Sequence, residues 1–486
     1  MSNAIANLEP KSLWGHFADL CAIPRPSGKE ERVRAHVKSW AKGRGFEVRE
    51  DSVGNVCVAV PASKGHEKAP IVILQGHLDI VAEKNNDFTF DFDKDPIPAV
   101  IDGEWVTSKN TTLGADNGMG VAAAMASADD PSVVHGPLEL LFTIDEETAL
   151  TGATGLDPKM VKGRMLLNLD SEEDGTLFVG CAGGCTTEID FPLKRAAVTG
   201  RSALELTVTG LKGGHSGLCI HENRGNSIKL LARVLHAWLD KAEVLVDSIQ
   251  GGNKHNAIPR EASAVVVVPT DFVPQAKKLA EELRRQALTE ISGIDPGLEI
   301  GIAPASKSTG SPANLDSSRR LVQLLIGVPH GVMAMSRDLA GLTETSTTMA
   351  VIQTEAGGNV HVTCSSRSSV EAALRFTMDQ ANAVITLAGG KYREVGAYPG
   401  WQPNMGSALL TTCKKVYREL RGSDPKVTAI HAGLECGIIG EKLGGADMIS
   451  FGPWLEGVHA PGERVNVPSA ARFWEFHKAL LKSIAG

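Results

Sequence analysis

The stretch LQGHLDIV places His77 and Asp79 two residues apart at the end of an apolar run. A histidine with a carboxylate at this spacing suits a metal ligand, because a ligating imidazole usually donates its other N–H to such a group. The competing reading is a loop histidine held by ordinary hydrogen bonds. Two more acidic groups stand at similar places: Asp145, Glu146 and Glu147 follow LELLFTI, and Asp170 follows RMLLNL. Asp116, flanked by glycines in TTLGADNGMG, opens a helical pattern and reads either as a helix cap or as a site carboxylate. Nearer the other end, His459 in SFGPWLEGVHAPGERV follows a further apolar run. Carboxylates massed in one cleft would repel one another unless cations were bound there. Two imidazoles among several carboxylates suit zinc or a similar ion better than calcium or magnesium, which prefer all-oxygen shells. If Asp116 bridges two ions while Glu147 and Asp170 take one each and His77 and His459 complete the shells, three carboxylates offset three of four positive charges. A bridging hydroxide cancels the last.

Such groups need strands to carry them. PIVIL, LELLFTI and RMLLNL are short and continuously apolar, the pattern of buried strands, and sites in open α/β sheets form just beyond the carboxyl ends of strands. NVCVAV adds another strand, and the small-residue run NGMGVAAAMASA reads as a helix. A first helix is expected from about Glu9 to Cys21. Ser27 with Glu30 reads as a capping box for a helix burying Val33, Val37 and Trp40. From about Ala197 the texture changes to alternating strands, ALELTVTG and EASAVVVV, and to amphipathic helices such as NSIKLLARVLHAWLDKA. A hairpin is expected at Gly357 and Gly358, and the inserted segment is read as holding two related halves. The α/β texture returns with ADMISFGP and a closing helix, SAARFWEFHKALLKSI.

Length and composition narrow the classes. At 486 residues the chain exceeds one ordinary core. With 42% hydrophobic and 22% charged residues and no apolar run long enough to span a bilayer, a membrane role is not expected. A net charge of −8 without a basic block argues against nucleic acid. No secretory leader is visible, which gives a cytoplasmic expectation. The eight cysteines are scattered and read as buried thiols rather than a disulfide framework or a cysteine-ligated zinc site. Cys181 and Cys185 in GCAGGC are read as small residues at a turn between strands, and no GxSxG elbow suggests a serine nucleophile.

The segments GHLDIV, TTLGADNG, the Glu146–Glu147 pair, NLDSEE, GLKGGHSG, NAIPRE, GAYPGW, HAGLECG and VHAPGE occur in an order that resembles the M20 metallopeptidase family, in its aminoacyl-histidine dipeptidase branch. The resemblance runs over almost the whole chain. It implies an α/β catalytic domain with a mixed, largely parallel sheet and helices on both faces, interrupted by an α+β lid or dimerisation domain. The bounds expected are 1–195 and 395–486 for the catalytic domain and 196–394 for the insert. It also implies two divalent ions, usually zinc, with cobalt or manganese as alternatives. His77 and Asp170 would hold one ion, Glu147 and His459 the other, and Asp116 would bridge them. Glu146 would be the general base and Asp79 would orient His77. His215 in GGHSG resembles a lid histidine that stabilises the oxyanion. Asn256 and Arg367 are candidates for positioning substrate, and Glu435 for meeting its ammonium group. One departure is Ala149, where relatives commonly carry glycine.

The expectation is a dipeptidase for Xaa-His and other unblocked dipeptides, acting as a homodimer on small peptides. An N-acyl amino acid deacylase would need the same metal site, and a non-catalytic peptide-binding protein is the alternative outside enzymes.

Overall fold

Val72–His77 is a strand in which every residue is buried, as expected of a central strand covered on both faces. A computed structural model, describing residues 2–291 and 293–486, places it fourth in an eight-stranded sheet. The order is Glu47–Glu50, Val56–Val60, Leu138–Thr143, Val72–His77, Met165–Asn168, Asp447–Ser450, Thr176–Cys181 and Lys426–Ile430. Leu138–Thr143, Val72–His77, Met165–Asn168 and Asp447–Ser450 run parallel, so their carboxyl ends share one edge. The strands beyond them at Val56–Val60 and Thr176–Cys181 pair antiparallel. The sheet is therefore mixed with a parallel centre.

Helix Ala115–Asp129 is built of small residues because it lies close to this sheet. A Cβ at Gly120 would fall 2.2 Å from the Leu169 carbonyl, and one at Gly76 would fall 2.1 Å from Asn117 Oδ1. Helix Lys11–Cys21 also packs against it, and a Cβ at Gly118 would fall 3.0 Å from Phe17 Cε2. The closing helix, Val467–Ala485, is capped by Asn466 accepting from the Ser469 N–H, and it buries Phe473, Trp474, Phe476 and Leu480.

Two compact units divide the chain. The first holds the residues up to Gly180 with Pro403–Ala429 and Leu434–Gly486; the second holds Cys181–Gln402 with Ile430–Gly433. These bounds differ from breaks at 195/196 and 394/395. The strands Gly183–Phe191 and Lys391–Tyr398 pair with each other, and Gly183–Phe191 also pairs with Val360–Ser368, so both strands belong wholly to the second unit's sheet.

The second unit contains a nine-stranded sheet with a regular internal plan. Strand Ser202–Thr209, helix Ser227–Leu239, strands Leu245–Gly251 and Ala262–Val268, helix Val273–Ile291 and strand Glu299–Pro304 form one β-α-β-β-α-β half. Strand Gly183–Phe191, helix Leu315–Gly327, strands Thr343–Thr354 and Val360–Ser368, helix Glu371–Ala388 and strand Lys391–Tyr398 repeat that plan. The first half is inserted after the opening strand of the second. The halves meet where Gln250 pairs with Gln353 and Gly251 with Ile352. Counting outward from this join, both halves set their strands in the same order, second, third, first, fourth. The turn between Thr354 and Val360 contains Gly357 and Gly358, as expected.

The capping box at Ser27 and Glu30 does not form. The helix runs Glu31–Gly43 with no side-chain bond at its cap. Ser27 instead donates to Asp79 Oδ2 at 2.8 Å, and Glu30 accepts from the Gly28 and Asp145 N–H groups. Tertiary partners thus outcompete the local motif. Cys181 ends one strand and Cys185 lies in the next, with Ala182 between the two strands. Among the described residues no helix is long and apolar enough to cross a membrane.

Candidate metal centre

His77 is the last residue of its strand, Asp170 lies two residues past the end of Met165–Asn168, and Glu146 and Glu147 lie three and four past Leu138–Thr143. Parallel pairing brings these strand ends together. Asp116 arrives from Ala115–Asp129, where its own backbone is not helical, and its two carboxylate oxygens meet His77 and His459. His459 comes from the loop between the short paired strands Leu455–Glu456 and Arg464–Asn466 and holds a left-handed φ of 63°.

Asp116 joins two groups. Its Oδ1 lies 3.0 Å from His77 Nε2, which is 3.5 Å from Asp170 Oδ1. Its Oδ2 lies 3.2 Å from His459 Nε2, which is 2.9 Å from Glu147 Oε2. Within each group, one donor atom per residue lies within 4.8 Å of the others. Ligands about 2.0–2.1 Å from a tetrahedral zinc ion are separated by roughly 3.3 Å, so these spacings and this nitrogen and oxygen donor set fit a divalent ion in each group. Asp170 Oδ1 is buried without a hydrogen-bond partner, which also suits a ligand.

Charge matching here is steep. Burial disfavours ionised Asp116, but His459 and His77 outweigh it and hold its carboxyl well below the usual range. Asp116 and Glu147 raise the His459 imidazole to about 11. A proton therefore serves where a cation could, and the imidazole must lose it to become a ligand.

Glu146 completes the cluster, with a carboxylate oxygen grouped with His77 and Glu147. Burial pushes its carboxyl well above the ordinary value; nearby Asp170, Glu435 and Asp116 add to this while His77 opposes it. A basic carboxylate of this kind suits proton transfer. Asp79, fully buried, stands 3.4 Å from His77 Nδ1 and accepts the N–H groups of Glu146 and Glu147 at 3.1 and 3.2 Å. One carboxylate thus faces the imidazole and holds the turn that carries both glutamates. Burial opposes its ionisation, yet His77, Ser27 and the Glu146 N–H hold it down at about 2.

Glu435 stands at the start of helix Glu435–Lys442. It is fully buried, with Oε2 accepting from Gln75 at 2.6 Å and Thr143 at 2.7 Å. Burial raises its carboxyl to about 7. Its other oxygen, Oε1, is buried without a hydrogen-bond partner among the described residues.

The remaining candidates lie in the second unit. His215 and Asn256 are brought together by a short pairing, Gly214 with Ile258 and His215 with Ala257. His215 Nδ1 accepts the N–H groups of Gly217 and Leu218 at 3.1 and 3.0 Å, which leaves the ring proton on Nε2. Burial, Arg367 and His255 lower this imidazole to about 4, so it is neutral at pH 7. Arg367 donates to Tyr398 Oη at 3.0 Å and to Ser216 Oγ at 3.4 Å. His431, buried nearby and 2.7 Å from Ser346 Oγ, was not singled out from the sequence although HAGLECG contains it. Also missed were Arg25 and Glu463, while Ser27 was read only as a cap; Glu463 lies four residues after His459 in a segment already singled out, but a lone glutamate carries no sign of its partners.

With this geometry in view, the known relatives are informative. Residues 198–292 match the peptidase dimerisation domain, and this match covers most of the first of the two halves. The chain is 40% identical over 482 residues to the cytosol non-specific dipeptidase of Escherichia coli (strain K12), covering 99% of each. The aminoacylhistidine dipeptidase of Vibrio alginolyticus superposes with a TM-score of 0.93 at 39% identity, again over 99% of each chain. The aminopeptidase PepT of Bacillus cereus shares the fold, with a TM-score of 0.57 at 16% identity over 99% of this chain and 100% of that one. The chain belongs to the M20 family of peptidases. Its class of activity is peptide hydrolysis.

Proposed function

We propose that this protein is a cytoplasmic dipeptidase that uses two zinc ions to hydrolyse Xaa-His and other short peptides with a free amino terminus. Cobalt and manganese are alternative ions. The observation that carries this reading is Asp116, whose two oxygens face two different histidine and carboxylate groups with Glu146 beside them. The names of the Escherichia coli and Vibrio alginolyticus relatives support the substrate class. The dimerisation-domain match supports a homodimer.

His77, Asp116 and Asp170 would hold one ion, and Asp116, Glu147 and His459 the other. Bound there, two cations supply Lewis acidity toward the scissile carbonyl and lower the pKa of water. The side chains do the rest. Asp79 faces the His77 Nδ1 side, which leaves Nε2 for the centre. Glu146 takes the proton of the attacking water and returns it to the leaving amine. His215, protonated on Nε2, donates to the developing oxyanion, and its neutrality means it does so without giving up a proton. Arg367 receives the terminal carboxylate through paired N–H groups, and Asn256 positions the peptide.

Two experiments test this. Glu146→Ala should keep its metal and lose at least about a hundredfold in turnover, in line with removal of a general base; near-normal turnover would remove Glu146 from that role. Ala-His should be cleaved in preference to N-acetyl-His, and the reverse preference would replace the dipeptidase reading with a deacylase.

A further inference from the structure

Glu463 is 2% exposed, and its carboxylate is filled by one stretch of main chain. Oε2 accepts the N–H groups of Leu113 and Gly114 at 2.7 and 2.9 Å, and Oε1 accepts those of Ala115 and Asp116 at 2.8 and 3.2 Å. Four successive amides pointing at one anion form a nest, and the last belongs to the residue shared by both metal groups. The carbonyl side of the turn is held as well. Buried Arg25 donates from Nη2 to the Gly114 carbonyl at 2.6 Å, and from Nη1 to the carbonyls of Leu78 and Asp79 at 2.9 and 3.3 Å. Gly114 has a left-handed φ of 69°, and a Cβ there would lie 2.6 Å from Ile80 Cγ2 and 2.8 Å from Arg25 Nη2. The backbone leading into Asp116 therefore has little room to shift.

We propose that Glu463 is a positioning residue for Asp116: by collecting the N–H groups of residues 113–116 it fixes where the shared carboxylate points, and so sets how tightly the centre holds a pair of divalent cations. Arg25 acts with it by tying the same turn to the segment that carries His77 and Asp79. The proposal rests on the reading of Asp116 as the shared ligand. Glutamate is required because four donors are divided two to each oxygen. An amide has one acceptor oxygen, so glutamine sets its NH₂ against two N–H groups. Aspartate keeps the charge and both acceptor oxygens but is one methylene shorter, so its carboxylate falls short of the four amides.

The test is zinc binding to apo protein, measured by competition with a chromophoric chelator, beside elemental analysis and apo thermal unfolding. Wild type should bind two ions per chain. Folded Glu463→Gln should bind the pair at least about tenfold more weakly, the scale expected when a group orienting a metal ligand is removed. Glu463→Asp, which retains the negative charge, should weaken binding in the same direction by less. Wild-type zinc affinity in folded Glu463→Gln, with only its melting temperature lowered, would reduce Glu463 to a structural cap and overturn the proposal. If Glu463→Gln does not fold, Glu463→Asp decides: unchanged affinity for both ions overturns it. Wild-type protein that binds no pair of ions would defeat the reading of the centre itself, and the proposal with it.

Discussion

Asp79→Asn is the most informative small change at the centre, because it keeps the side chain's size and removes only an oxygen acceptor and a charge. The carboxylate takes the Glu146 N–H on Oδ1, the Glu147 N–H and the Ser27 hydroxyl on Oδ2, and faces His77 Nδ1. Ser27 can rotate its hydroxyl to accept from an amide, but the two backbone N–H groups approach different oxygens. Whichever way the new amide turns, one N–H meets NH₂ and is left buried without an acceptor, which costs about 1–3 kcal/mol. With about 1.4 kcal/mol per tenfold change, this corresponds to roughly 5- to 150-fold, overlapping the 10- to 100-fold seen when a group orienting a metal ligand is lost. Zinc titration of the apo variant should show a loss of about 10- to 100-fold in affinity, with circular dichroism unchanged. Turnover at saturating zinc should also fall, because the displaced turn carries Glu146. Wild-type zinc affinity together with wild-type turnover would refute the reasoning, since neither His77 nor the glutamate turn would then depend on Asp79.

Three further outcomes are expected. His215→Ala should lower kcat by about 10²- to 10³-fold, the effect of removing one oxyanion donor, and wild type should show no activity loss from His215 protonation until the pH nears its value of about 4. Arg367→Ala should raise KM for Ala-His by about 10- to 100-fold, the scale of a lost charge-assisted pair, while the C-terminally amidated peptide is little affected. His477, fully buried and 2.8 Å from Ser127 Oγ, is held at about 3 against an ordinary 6.5 by burial and by His135. The unfolded chain binds that proton first, so this group removes stability as pH falls from 6.5 toward 3, by about 1.4 kcal/mol per pH unit. Urea unfolding at pH 7 and 5 should therefore show a shallower acid loss in His477→Gln than in wild type.

Strand ends were the most legible part of the sequence. Continuous apolar runs marked the parallel centre of the sheet, and the groups after them, His77, Glu146, Glu147 and Asp170, fall at one edge because parallel strands share a direction. Groups whose partners are distant in the chain were not legible. Ser27 and Glu30 have the spacing of a capping box, yet Asp79 and Asp145 compete for them from far along the sequence. Glu435 reads as a charge partner, and nothing in HAGLECG shows that Gln75 and Thr143, far back in the chain, meet its carboxylate. The two β-α-β-β-α-β halves show no clear sequence repeat because each needs only its apolar pattern. Nesting one inside the other also places the second unit's opening strand, Gly183–Phe191, ahead of the change in texture near Ala197.

Metal dependence bears most directly on the central claim. Zinc, cobalt and manganese content should be measured by elemental analysis on the same samples assayed for Ala-His hydrolysis, before chelation, after it and after zinc add-back. About two ions per chain are expected, with hydrolysis lost and restored in step. Metal-free protein that still cleaves Ala-His at the original rate would contradict the account, because the cluster around Asp116 would then do its chemistry without the ions it is proposed to hold.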